Sequence, residues 1–109
     1  RARGSIIGLR SRIDAGVDID RSIIMGSDMF ETIDEIRANI TNGKPHIGIG
    51  ENVTISKAIV DKNVRIGNNV RLVNRENIQN FDAPDGSYYI REGIIIVPKG
   101  GIINDGTEI

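Results

Sequence analysis

The chain has 109 residues, one domain's worth, with a formal net charge of −1, no Cys, no Trp and only 4% aromatic residues. That charge excludes a global field drawing it to nucleic acid or an anionic membrane, and the missing Cys excludes disulfides and thiol chemistry. With so few aromatics, core burial falls to β-branched Ile and Val, which suit pleated strands. The 13 Gly point to many turns rather than long helices.

The chain begins RARGSIIG, with no hydrophobic signal-peptide core. It enters a repeat directly, as a piece of a longer protein would. No apolar run approaches the roughly 20 residues of a membrane span. Arg1, Arg3, Arg10, Arg12 and Arg21 precede the first long polar stretch and read as a solvated face. From Ile7, large apolar residues recur in steps of six: Ile7, Ile13, Ile19, Met25. Ser11, Val17 and Ile23 fill the fifth place of each hexad, and Gly8, Asp14 and Asp20 the second.

Neither an α-helix nor a flat strand favours a period of six with one dominant apolar position. A triangular coil does: each hexad makes one short side and a corner, and three sides close a turn. Large aliphatics then point inward and stack on counterparts about 4.8 Å away. Gly, Asn and Asp serve corners that need positive φ, as in Ile66 to Val70, IGNNV. The expected fold is all-β: a parallel β-helix of roughly four coils, forming a single domain over residues 1–109.

Two interruptions break the ladder. From Ser27 to about His46 the pattern predicts a short amphipathic helix over about 28–42. Asp28 is the expected N-cap, with Glu31 at the capping-box spacing, and Phe30, Ile33, Ile36 and Ile40 form the apolar edge. Gly43 and Pro45 end it. That edge is expected to pack on the β-helix flank or against another subunit. Hexads resume at Ile49-Gly50 and Ile55, then continue through Val60 (a step of five), Ile66 and Leu72, with Val53, Ile59, Val64 and Val70 in the fifth places. The second interruption, about 74–88, reads as a loop around the turn Ala83 to Gly86, with one helical turn near Asn77 to Asn80. Tyr88 and Tyr89 are expected to pack where the chain re-enters the repeat. Ile90, Ile96 and Ile102 then repeat the step, with Ile94 in a fifth place.

Hexapeptide repeats identify a fold, not a function. The ordered runs SIIMGSD, HIGIGENVTI, AIVDKNVRIGNNV, YYIREGIIIVPKG and INDGTEI are more specific, DKNVRIG most of all. Together they resemble the C-terminal domain of the glucose-1-phosphate adenylyltransferases, over essentially the whole chain. The resemblance implies a left-handed coil. It also implies a parent enzyme whose catalytic domain lies upstream of this chain and joins ATP and glucose 1-phosphate into ADP-glucose and pyrophosphate with Mg²⁺, in glycogen or starch synthesis. The β-helix domain of such an enzyme helps assemble a homo- or heterotetramer and binds anionic allosteric effectors: sugar phosphates, and phosphate or AMP. The location implied is cytoplasmic for a bacterial protein and the plastid stroma for a plant or algal one.

By the same resemblance Lys62, in DKN, and Lys99, in VPK, fall where family members place effector-binding lysines. Lys suits that role as a compact positive point on a flexible stem, although exposed Lys on a strand edge also serves simply to keep edges apart. The run Pro98-Lys99-Gly100-Gly101 departs from the family's usual residues around that lysine. If Leu72 and Ile90 share one side of the triangle, the two lysines project from neighbouring rungs near one corner. If Ile90 starts a new side, they lie on adjacent faces. Asp61 and Asn63 flank Lys62, and Asp61 reads as structural. No catalytic residue is expected here: Gly48 to Gly50 lacks the later Gly of a dinucleotide fingerprint. No metal site or cofactor is expected either, since a zinc centre of three His is out of reach of a chain with His46 alone. Two alternatives stand beside the regulatory domain. One is a free-standing hexapeptide acyltransferase with His46 as general base, and the other a structural β-helix of another nucleotide-sugar transferase.

Overall fold

The computed structural model describes residues 1–28 and 31–109. In chain order the elements are β1 (Ala2–Arg3), β2 (Ile6–Ile7), β3 (Asp18–Asp20), β4 (Ile23–Ile24) and α1 (Ile33–Thr41). There follow β5 (Gly48–Ile49), β6 (Thr54–Ser56), β7 (Ala58–Val60), β8 (Arg65–Ile66) and β9 (Arg71–Leu72). The last four are β10 (Asn80–Asp82), β11 (Tyr89–Arg91), β12 (Ile94–Val97) and β13 (Ile102–Ile103). They form three sheets, ordered β1-β3-β6-β9, β10-β11-β12-β7-β4-β2, and β13-β8-β5. Every pairing is parallel except β10 with β11 and β11 with β12.

Each sheet contributes one inward ladder to a shared core. Ile19, Ile55 and Leu72 stack in the first sheet, Ile24, Val60 and Val97 in the second, and Ile49, Ile66 and Ile103 in the third. All nine are buried, and Ile55, Ile66, Leu72 and Val97 are fully so. Val17, Val53, Val64 and Val70 fill the space between ladders. This is a core of β-branched ladders needing no aromatic ring.

The register differs from a strict step of six. From Ile19 the next inward residue is Ile24, five on, and Met25 points out at 41% exposed. The same step of five recurs from Ile55 to Val60. In the second sheet the fifth-place ladder shifts with it. Ser22, Ala58 and Ile95 are buried there, whereas Ile23 and Ile94 are exposed and Ile59 is half-buried. The Ser22 hydroxyl accepts the Ala58 amide at 3.0 Å and donates to the Asp20 carbonyl, so its burial leaves no polar atom wanting. At the far end the inward residues are Val97 and Ile103, with Ile109 packed on the core, each one place beyond the expected Ile96 and Ile102 series.

The two interrupting segments also differ from expectation. The helix is shorter, Ile33–Thr41, and its N-cap is Thr32, which forms the capping box with Glu35. Asp28 and Glu31 are therefore free for other work. Phe30 lies outside the described residues. Ile33 and Ile40 are 70% and 72% exposed and Ile36 is half-buried, so the described residues leave the apolar edge of α1 largely uncovered. The stretch expected as a loop contains β10, which pairs antiparallel with β11. Ile90 is thus no coil start: it lies in a hairpin whose two-residue turn, Glu92-Gly93, holds both residues at positive φ, 51° and 79°. That is the type I′ geometry which matches strand twist. Asn74 ties this segment down, its amide donating to the carbonyls of Ile78 and Gly93 while its oxygen accepts the Ile78 amide. Phe81 and Tyr88 pack at 5.9 Å between ring centres.

Candidate functional site

The lysine corner follows from the register of β7 on β12. Val60 pairs with Val97, which puts Asp61 beside Pro98 and Lys62 beside Lys99. Each side turns its corner with a residue at positive φ immediately after the lysine, Asn63 at 59° and Gly100 at 72°. The Pro98-Lys99-Gly100-Gly101 run closes a tight turn, Gly101 N–H to Pro98 carbonyl at 2.9 Å. The Gly100 amide donates to the Lys62 carbonyl at 3.0 Å. So the departure in sequence around Lys99 still makes a corner that stacks on the one at Lys62. The premise that Ile90 starts or shares a side of the coil fails, because β11 is a hairpin strand, but the first of the two expected placements is the one observed: the lysines stand on neighbouring rungs at one corner.

Both side chains end on one carboxylate. Lys62 Nζ lies 3.2 Å from Asp28 Oδ1, and Lys99 Nζ 3.7 Å from Asp28 Oδ2. The three side chains are 44%, 62% and 46% exposed, so the cluster opens to solvent. Asn63 positions the acid: its side-chain oxygen accepts the Asp28 amide and the Ser27 hydroxyl, each at 3.0 Å. The hydrogen bond from Lys62 holds the Asp28 carboxyl below the usual carboxylate range; desolvation opposes it, and the charges of Lys62 and Lys99 add to the lowering. Asp61 accepts the Lys62 backbone amide at 2.6 Å and is a corner residue.

Asp28 is the residue that sequence reasoning misplaced. Only the pairing of Val60 with Val97, together with the path of the chain after β4, brings it to the lysines. Glu31, its expected capping partner, instead anchors the segment carrying α1. Its carboxylate accepts from the Ile47 amide at 2.7 Å, from Arg65 Nη1 at 2.9 Å and from the Asn39 amide. Burial alone would raise the Glu31 pKa, but these donors outweigh it and the net direction is down. Arg65 also donates to the Pro45 carbonyl.

His46 lies away from the lysines, in the wall of a cleft of about 300 Å³ beneath α1. Its Nε2 is 2.9 Å from Asp14 Oδ2 and its Nδ1 2.7 Å from the Ile47 carbonyl, so both ring nitrogens are engaged in holding the chain's return to the coil. Among the described residues no group of three or more His, Cys, Asp or Glu could hold a metal ion. Among them, too, no helix is long and apolar enough to cross a membrane.

The outer surfaces of the sheets are unlike one another. The first presents Asp18, Asp20, Thr54, Ser56 and Arg71. The second presents an outward row of Ile6, Ile23, Ile59 and Ile96 in register, with Tyr89 next to Ile96. Ile6 is 66% exposed.

Compared with known protein families, residues 1–108 match the model of the GLGC left-handed parallel β-helix domain.

Proposed function

The chain belongs to that family, the left-handed β-helix domain of glucose-1-phosphate adenylyltransferase, and from that premise we propose that it is the regulatory and assembly domain of such a nucleotidyltransferase, binding anionic effectors between Lys62 and Lys99. The observation that carries this reading is the convergence of both ammonium groups on a single carboxylate. A corner that already seats one anion between two lysines has the charge and spacing for a phosphate or carboxylate group of a sugar-metabolism intermediate, phosphate or AMP. The outward isoleucine row supports the assembly role. Ordered apolar faces on soluble proteins mark surfaces that a partner covers, here the parent's own catalytic domain or other subunits of a tetramer. His46 gives the acyltransferase reading little support, because a general base needs a nitrogen open to substrate.

The reaction itself, with its Mg²⁺, belongs to the catalytic domain of the parent. This chain by itself turns over nothing in the proposal, and the absence of ADP-glucose pyrophosphorolysis by the isolated chain is its corollary. The effector site is tested in the full-length enzyme with Lys62→Glu and Lys99→Glu. Each should blunt activation by anionic effectors while leaving the effector-free maximal rate within about twofold, since neither lysine is placed at the reacting atoms. An unchanged effector response in both variants rejects the site.

A further inference from the structure

We propose that Asp28 is a built-in competitor: its carboxylate occupies the anion position between Lys62 and Lys99 when no effector is bound, and an effector must displace it. The inference rests on the reading of the lysine corner as an anion site and adds how that site is regulated. The geometry is that of a tethered ligand. Each carboxylate oxygen faces one ammonium, Oδ1 to Lys62 and Oδ2 to Lys99, which is the division of contacts a two-oxygen edge of a phosphate would make. The chain leading into that carboxylate is held by Asn63, whose side-chain oxygen accepts the Asp28 amide and the Ser27 hydroxyl. The acid is therefore presented to the lysines from a backbone already in place, and a tethered group acts at a high effective concentration.

Displacement is within reach because the contacts are weak individually. All three side chains are near half exposed, and exposed ion pairs contribute little each. A diffusible anion carrying more charge and more acceptor oxygens than one carboxylate can outcompete them. Asp28 would thus set the threshold concentration of effector without touching the chemistry. Its backbone stays in place through Asn63 when its side chain is displaced, so the switch is local to the corner.

The test is inorganic phosphate binding to this chain at fixed ionic strength, followed by the backbone amide resonances of Lys62, Asn63, Lys99 and Gly100. Asp28→Asn should bind phosphate about three- to tenfold more tightly than wild type, the scale of losing two exposed ion pairs. Asp34→Asn, the same charge change on the exposed first turn of α1, should leave affinity unchanged. If Asp34→Asn tightens binding equally, net charge alone explains the gain and the competitor role is overturned. If wild type binds phosphate through the lysines but Asp28→Asn binds equally or less tightly, Asp28 is a support for the lysines, and the inference fails while the effector site stands. If Asp28→Asn shows no phosphate binding that Lys62→Glu abolishes, the effector site and the inference fail together.

Discussion

Lys62 and Lys99 occupy equivalent places on consecutive rungs, joined by a 3.0 Å hydrogen bond from the Gly100 amide to the Lys62 carbonyl. Thirty-seven positions apart in sequence, they are neighbours because Val60 pairs with Val97 and the intervening hairpin is looped out of the coil. The stacking of corners therefore determines where the charges meet, and the stability of that stacking is part of the functional account.

The register of the second ladder is checked by truncating adjacent residues. Ile24→Ala removes an inward, 4% exposed side chain and should cost about 2–5 kcal/mol in urea unfolding. Met25→Ala, at 41% exposed, should cost about 0.5 kcal/mol or less. A coil with strict steps of six would give the reverse order.

Acid should loosen the segment carrying α1 through Glu31. Its folded pKa lies below the ordinary carboxylate range, so the stability it contributes is fully present above the unfolded value and fades as pH falls through the folded one. Amide protection over Ile33–Thr41, followed from neutral pH downward, should drop below the usual Glu range, near pH 4. Glu31→Gln should lower protection at neutral pH and flatten the dependence. A wild-type profile retained in Glu31→Gln would remove Glu31 as the anchor.

The hairpin turn offers a gain of stability. Glu92 sits at φ 51°, a left-handed conformation that costs an ordinary side chain roughly 1–2 kcal/mol and Asn less. Glu92→Asn gives the Asn-Gly pair that type I′ turns favour. Thermal unfolding should report a stabilisation of about 1 kcal/mol or less, and a loss would show that the Glu side chain makes a contact worth more than the strain.

The repeat is legible in the sequence because a ladder of aliphatics in steps of six has few structural explanations, whereas the family rests on runs such as DKNVRIG, and Lys62 and Lys99 are singled out by that resemblance alone. The phase is less so. Ile lies on both faces of the second sheet, inward at Ile24 and Ile95 and outward at Ile23, Ile59 and Ile96, so hydrophobicity alone does not say which is core. That is why Met25 reads as a core position when Ile24 holds it, and why the last ladder reads one residue early. Glu92-Gly93, between the run Tyr88-Tyr89-Ile90 and the run Ile94-Ile95-Ile96-Val97, is a hairpin cue that the six-residue period obscures. Asp28 and Glu31 satisfy the spacing of a capping box, and local spacing carries no information that Thr32 and Glu35 form it instead.

The most direct measurement of the central claim is a double-mutant cycle on inorganic phosphate affinity with Lys62→Ala, Lys99→Ala and the pair together. If both lysines grip one anion, each single change should weaken binding and the double should weaken it by clearly less than the product of the two, because the second loss acts on a site already half dismantled. Fully multiplicative effects, or an effect from only one lysine, would contradict a shared site.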